Sequence, residues 1–174
     1  MVSFQALLEQ IKETPMSIEA LRKKLPERCK AVMYQQLVGH RSKLFKNHDA
    51  IVVLIPKKNS KIGHFVVLLA KRNHIEYFSS LGGTPDSEME KLGEPVQRIK
   101  EVLGKNYIVN TVKLQSGAYH VNDCAIWVLL RCYLRKLKLR EFQSLFTRRV
   151  TLNSSDDVAA AMGVLLLVDV TQGS

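Results

Sequence analysis

The sequence predicts an α+β domain in which a mostly antiparallel sheet packs against a central helix. Three observations carry this prediction. The hydrophobic pattern changes near residue 50, where "AIVVLIP" (50–56) is a continuous apolar run rich in β-branched residues and suits a buried strand. Next, "HFVVLLA" (64–70) and "HIEYFSS" (74–80) flank a short polar "KRN" and form a β-hairpin. Finally, "DCAIWVLLRCYLRKLK" (123–138) aligns Trp127, Leu130, Leu134 and Leu137 on one stripe, the spacing of a long amphipathic helix.

The remaining elements follow in order. Residues 3–13 have helical spacing. "SIEALRKKL" (17–25) is a second helix, capped by Ser17 and stopped by Pro26. A short third helix is expected over 27–38, closing at Gly39. Residues 86–104 are helical with a break from Gly93 to Pro95, and "YIVNTVKLQ" (107–115) alternates as a strand does. A polar "TLNSSDD" precedes a last apolar helix over 156–168. With no repeat and no Gly-, Ser- or Pro-rich linker, the chain reads as one domain. It has a helical part (1–48), a core (50–138) and a C-terminal helix (150–174).

Composition narrows the class. A chain of 174 residues that is 46% hydrophobic and 24% charged can bury a sizeable core and is not disordered. No apolar run reaches membrane-spanning length, and "MVSFQALLEQIKET" reads as an amphipathic helix, not a secretory signal. No membrane association is therefore expected. Three cysteines at Cys29, Cys124 and Cys132 make an odd count without framework spacing, which favours a reducing, intracellular setting. No CxxC or Cys/His cluster suggests a metal. The net charge of +10 attracts polyanions, so sequence-independent affinity for DNA or RNA is expected at most.

Cys124 frames the functional question. It follows the polar pair Asn122-Asp123 and opens the long helix, so it is either a buried structural thiol or a nucleophile at a helix N-terminus. A nucleophilic cysteine needs a base, an orienter for that base and donors for an oxyanion. Of five histidines, His40, His48 and His74 lie among polar residues, and His120 falls in a loop. His64 differs, because it stands at the mouth of a strand. If Lys71 and Arg72 form a two-residue turn, His64 faces Ser79, with Cβ atoms about 4.5–5.5 Å apart. A shifted turn moves its partner to Ser80 or Leu81. Glu76 then pairs with Val67, about 10 Å further along the ribbon, and points to solvent. A Ser79 hydroxyl gives the imidazole a hydrogen bond without a charge, so Ser79→Asp is expected to raise Cys124 reactivity about tenfold.

The order "GHFVVLL", "IEYFSSLGG", "LQSGAYHVNDCAIW" resembles the adenain/Ulp superfamily of cysteine proteases, over roughly residues 50–138. This family includes the adenovirus-type capsid maturation protease, its relatives in large DNA viruses and Polinton-like elements, and the SUMO-specific proteases. The resemblance implies Cys124 as nucleophile, His64 as base, Ser79 as third member and Gln115 in the oxyanion hole, with Asn122 as an alternative donor. Phe65 replaces the family's Trp, Ser79 stands where an acid or amide is usual, and Ala125 replaces Gly. Gln115 lies about two residues further from the cysteine than is typical. The resemblance further implies a thiol endopeptidase cleaving precursor or capsid proteins at small, glycine-containing sites; a monomer, in the host nucleus, cytoplasm or virion, is expected. Its chemistry requires no cofactor, and DNA would serve as an activating polyanion. A ubiquitin- or SUMO-directed peptidase and an inactive module binding nucleic acid or a viral protein are the alternatives.

Overall fold

The computed structural model describes residues 16–37, 41–58, 63–116, 124–147 and 155–169. The expected helix at 3–13, Gly39, His40, His120, Asn122 and Asp123 lie outside the described residues. The elements run α1 (Ile18–Lys24), β1 (Cys29–Met33), a 3₁₀ turn (Tyr34–Gln36), α2 (Arg41–Leu44), β2 (Ala50–Pro56), β3 (Gly63–Ala70) and β4 (Ile75–Phe78). They continue as α3 (Pro85–Leu92), α4 (Gln97–Leu103), β5 (Tyr107–Val109), α5 (Cys124–Tyr133), α6 (Leu139–Thr147) and α7 (Ser155–Asp169). The class is α+β.

One five-stranded sheet has the order β1-β2-β3-β4-β5. Its central ladders, β2–β3 and β3–β4, are antiparallel, while the edge strands β1 and β5 pair in parallel. The sheet is thus mixed. The segment expected as a third helix supplies β1, because "CKAVM" aligns with β2 from Cys29↔Ala50 to Met33↔Leu54. Pairing to an adjacent strand outweighs a weak local helical preference here.

Alternation along β3 divides the core between the two faces. Phe65, Val67 and Leu69 pack with Phe78 and with Trp127, Val128 and Leu130 of α5. Val66 and Leu68 pack with Tyr77 on the other face, against Met89 of α3 and Ile99 and Val102 of α4.

The hairpin register differs from the two-residue-turn expectation. Val67 pairs with Phe78, Leu69 with Glu76 and Ala70 with Ile75, so Lys71 to His74 form the loop. The shift of two residues leaves Glu76 on the face of Val67 and Leu69, which is covered by α5 and not open to solvent. It is fully buried and paired with Arg131, whose Nε and Nη2 donate to the two carboxylate oxygens at 2.7 and 2.8 Å. Arg131 also donates to the carbonyls of Leu134 (2.8 Å) and Leu137 (3.1 Å). By taking up those carbonyls it ends α5 at Tyr133, five residues before the sequence pattern stops, and turns the chain into α6. Among the described residues no helix is long and apolar enough to cross a membrane.

Candidate active site

The site begins at the end of β4. Beyond Phe78 the chain leaves the ladder and turns through Ser79–Gly83. Gly82 adopts φ +70°, and a Cβ there would lie 2.8 Å from the Lys113 nitrogen. Gly83 is needed for a different reason: a Cβ would fall 2.6 Å from Cγ and Oε1 of Glu88. Thr84 then caps α3 by accepting from the Ser87 N–H at 3.2 Å, and Pro85 occupies the first turn, where a missing N–H costs nothing. This start places Glu88 in the helix's first turn, buried against the glycine pair.

Four polar side chains meet there. His64 is 7% exposed, and its Nε2 lies 2.9 Å from Ser79 Oγ. The Ser79 hydroxyl donates to Glu88 Oε1, and Tyr77 donates to Oε2 at 2.5 Å. Glu88 Oε1 is 3.8 Å from His64 Nε2. Direct opposition in the hairpin does not produce the His64–Ser79 contact, since the ladder ends at Val67↔Phe78 and its register, if continued, would set Ser79 against Val66. Ser79 reaches it as the diagonal neighbour on the same face.

Hydrogen-bond accounting fixes the tautomer. A serine hydroxyl has one proton to give, and Ser79 gives it to Glu88, which as a carboxylate can only accept. The contact with His64 is therefore donation from Nε2–H, so neutral His64 carries its lone pair on Nδ1. That is the protonation state of a general base. Ser79 also accepts from the Leu81 N–H at 3.3 Å, which completes its bonding capacity. Burial pulls the His64 pKa below its ordinary value, and the Glu88 carboxylate opposes that shift. Burial and the same carboxylate raise the Tyr77 pKa well above its usual range, which keeps its phenol a proton donor.

Gln115 joins from the crossing segment after β5. Its Oε1 accepts from Ser80 Oγ at 2.7 Å, and the Leu114 and Gln115 N–H groups both donate to the Ser80 carbonyl at 2.9 Å. Asn110, fully buried, ends β5 by binding the carbonyls of Ser79 (2.6 Å) and Val112 (2.9 Å). Ser116 N–H donates to Asp156 Oδ2 (2.8 Å), and Asp156 Oδ1 accepts from Trp127 Nε1 (3.1 Å). The Gln115 segment is thereby tied through α7 to the first turns of α5.

Cys124 is the first residue of α5 and is partly exposed, packed on the sheet face that carries Phe65. α5 runs alongside β3 in the same direction, since Arg131 binds Glu76 opposite Leu69 and Lys71 Nζ donates to the Arg135 carbonyl at 2.5 Å. From Arg131 back to Cys124 the helix rises about 10 Å, the length of about three strand residues. Cys124 therefore comes level with the opening residues of β3, at the end where His64 stands. The His64 side chain makes its contacts on the α3 face, with Ser79 and Glu88, while Cys124 lies on the α5 face.

No family model matches the chain. Over 136 residues it is 26% identical to the uncharacterised protein V9 of Sputnik virophage, covering 68% of this chain and 75% of that protein. Among solved structures it is similar to the SUMO protease Ulp1 with its catalytic cysteine oxidised to a sulfonic acid. That alignment has a TM-score of 0.39 and 17% identity, and spans 95% of this chain and 77% of the other. The chain thus has a viral relative of uncharacterised function.

The structure brings together His64 and Ser79, attaches Gln115 one residue away through Ser80, and sets Cys124 at the same end of the β3–α5 pair. Glu76 lies on the other face, paired with Arg131. Sequence reasoning missed Glu88, Tyr77 and Asn110. The glycine pair followed by a capped helix start, "GGTPDSE", was the available signal for Glu88, because side-chain-free backbone invites a close neighbour.

Proposed function

We propose that the protein is a thiol endopeptidase acting on precursor proteins of a virus or mobile element, with Cys124 as nucleophile and His64 as base. The buried His64–Ser79–Glu88 array is the observation that carries this reading. A serine alone lacks the charge that stabilises imidazolium, and Glu88 supplies that charge through the Ser79 hydroxyl. In this proposal the His64 imidazole turns about the end of β3 to bring Nδ1 within hydrogen-bond reach of Cys124 and takes its proton, the thiolate attacks the peptide carbonyl, and the imidazolium returns the proton to the leaving amine. Gln115 and the N–H groups at the start of α5 hold the oxyanion, with Ser80 fixing the Gln115 carbonyl so that its NH₂ points elsewhere. The virophage likeness supports the viral setting, and glycine-containing cleavage sites, a monomer, and a nuclear, cytoplasmic or virion location accompany the same proposal.

Labelling with a thiol-directed electrophile at neutral pH, combined with cleavage of glycine-containing peptides, tests this. Modification confined to Cys124 together with cleavage supports the peptidase. Ubiquitin-like C-terminal fluorogenic substrates separate out a ubiquitin- or SUMO-directed enzyme. A second reading has one observation in its favour: His64 is seated on the α3 face, away from the α5 face that carries Cys124. In that reading the fold is a non-enzymatic module binding nucleic acid or a viral protein, and Cys124 shows no enhanced reactivity.

Glu88 gives a pH-dependent prediction. Its carboxylate raises the His64 pKa, so Glu88→Gln lowers it and depopulates the imidazolium–thiolate pair. The pH profile of Cys124 alkylation is expected to move to higher pH in Glu88→Gln. Ser79→Asp no longer promises a tenfold gain, because the new carboxylate meets Glu88 and the pair retains a proton. An alkylation profile that Glu88→Gln leaves unmoved, with Ser79→Asp accelerating the reaction, removes Glu88 from the array.

DNA remains a proposed activator, through the +10 charge. Binding is expected to be sequence-independent, with log affinity falling against log salt at a slope of about −0.9 per phosphate neutralised. An affinity that barely changes between low and physiological salt assigns the basic surface another purpose.

A further inference from the structure

Tyr77 stands at the far end of the buried array, with Glu88 and Ser79 between it and His64. It lies on β4 opposite Leu68, fully buried, with its ring packed among Val66, Leu68, Met89 and Ile99. Packing on all sides fixes the ring and aims its hydroxyl at one point. That point is Glu88 Oε2, 2.5 Å away, while the Ser79 hydroxyl holds Oε1. Each oxygen of a buried carboxylate thus accepts from a neutral hydroxyl.

The serine between His64 and Glu88 opens a route for protons. Ser79 accepts from Nε2–H and donates to Oε1, so the Nε2 proton can pass to Oγ as the Ser79 proton passes to Glu88. Once His64 has taken a proton at Nδ1, this relay leaves a neutral Nδ1–H imidazole and a protonated Glu88. The proton count is unchanged and the charge separation is lost, an outcome that burial favours. Hydrogen bonds to the ionised carboxylate oppose it, and Tyr77 supplies one of the two.

We propose that Tyr77 is a positioning residue: by donating to Glu88 Oε2 it keeps the carboxylate ionised, and so keeps the transferred proton on His64. Its catalytic meaning rests on the proposed role of His64, since imidazolium is the acid that protonates a leaving amine. His64, Tyr77 and Glu88 meet from β3, β4 and α3, and Ile99 and Val102 of α4 add no charge. Tyr34, on the 3₁₀ turn, is a further ionisable group facing Tyr77, and its own hydroxyl donates to the Pro95 carbonyl. Burial and Glu88 keep the Tyr77 phenol protonated throughout.

The test is a long-range proton–nitrogen correlation spectrum of the full chain with isotope-labelled histidine, followed through acidification, with His64 assigned from His64→Gln. In the wild type, neutral His64 is expected to carry its proton on Nε2 and to become imidazolium as the pH falls. Tyr77→Phe keeps the ring and loses the donor. There, acidification is expected first to give neutral His64 protonated on Nδ1, with imidazolium appearing about one to two pH units lower. Loosened packing would instead expose His64 and move its midpoint up towards the ordinary histidine value. The proposal is overturned if Tyr77→Phe keeps the wild-type tautomer and midpoint, or if neutral wild-type His64 already carries its proton on Nδ1. Should Tyr77→Phe fail to fold, a ring-fluorinated tyrosine at position 77, a stronger donor, is expected to raise the imidazolium midpoint, and an unchanged or lower midpoint overturns the proposal. Cys124 takes no part in these spectra, so they decide the role of Tyr77 separately from the thiol labelling that decides the peptidase.

Discussion

Cys124→Ala is expected to abolish peptide cleavage and leave the fold intact. Cys124 is partly exposed in the first turn of α5, and the buried packing of that helix is carried by Ala125 to Cys132. Alanine is the best helix former, so the substitution removes one sulfur at a partly wet position and costs little stability. Chemistry suffers far more. Removing the nucleophile from a hydrolase leaves only binding and oxyanion contributions, a loss on the order of 10⁵- to 10⁶-fold in turnover. Cleavage of a glycine-containing peptide and thermal unfolding of both proteins provide the check. Loss of cleavage in Cys29→Ala with Cys124→Ala still active would sink the assignment.

The largest stability effect is expected at Glu76. Among the described residues its carboxylate is the charge that compensates Arg131, in a bidentate pair whose side chains are 1% and 0% exposed. Glu76→Ala leaves a buried guanidinium without its counter-ion, at a cost of about 3–5 kcal/mol. At a typical urea m-value this lowers the unfolding midpoint by about 2 M. Replacing both partners, Glu76→Leu with Arg131→Met, is expected to recover most of that loss, because the cost of an unpaired charge disappears. If Glu76→Ala moves the midpoint by no more than an ordinary surface substitution, the register of β3 on β4 is wrong.

The contrast between Glu76 and Glu88 shows what the sequence made legible. β2, β3, the helix break at Gly93–Pro95 and the start of α5 were readable, since each is marked by periodicity or a local stop signal. Register was not. It depends on whether the hairpin loop holds two residues or the four from Lys71 to His74, and "KRN" carries no Asn-Gly or Asp-Gly pair to decide. The shift of two residues kept Glu76 on the same face, and what no local pattern announced is that this face is covered by α5 and that Arg131 meets the carboxylate there. The β1 strand was missed because an edge strand takes its identity from its neighbour, twenty residues away in the chain. His64, Ser79 and Gln115 were legible as candidates through the family resemblance, but Glu88 belongs to a helix whose packing angle no local pattern specifies.

The sheet order has a consequence for how the molecule assembles. Because β1 to β5 are neighbours in space in the order of the chain, most strand pairing closes short loops, which favours rapid formation. His64, Ser79 and Glu88 all fall within one such local unit, β3 through α3. Cys124 arrives later, when α5 docks across a long stretch of chain. A polypeptide emerging from the ribosome would thus hold an oriented histidine before it exposes a partner thiol, and would stay inert until the last layer closes. Pulse-labelled hydrogen exchange should find β2–β4 amides protected ahead of those in α5, and the reverse order would refute this sequence of events.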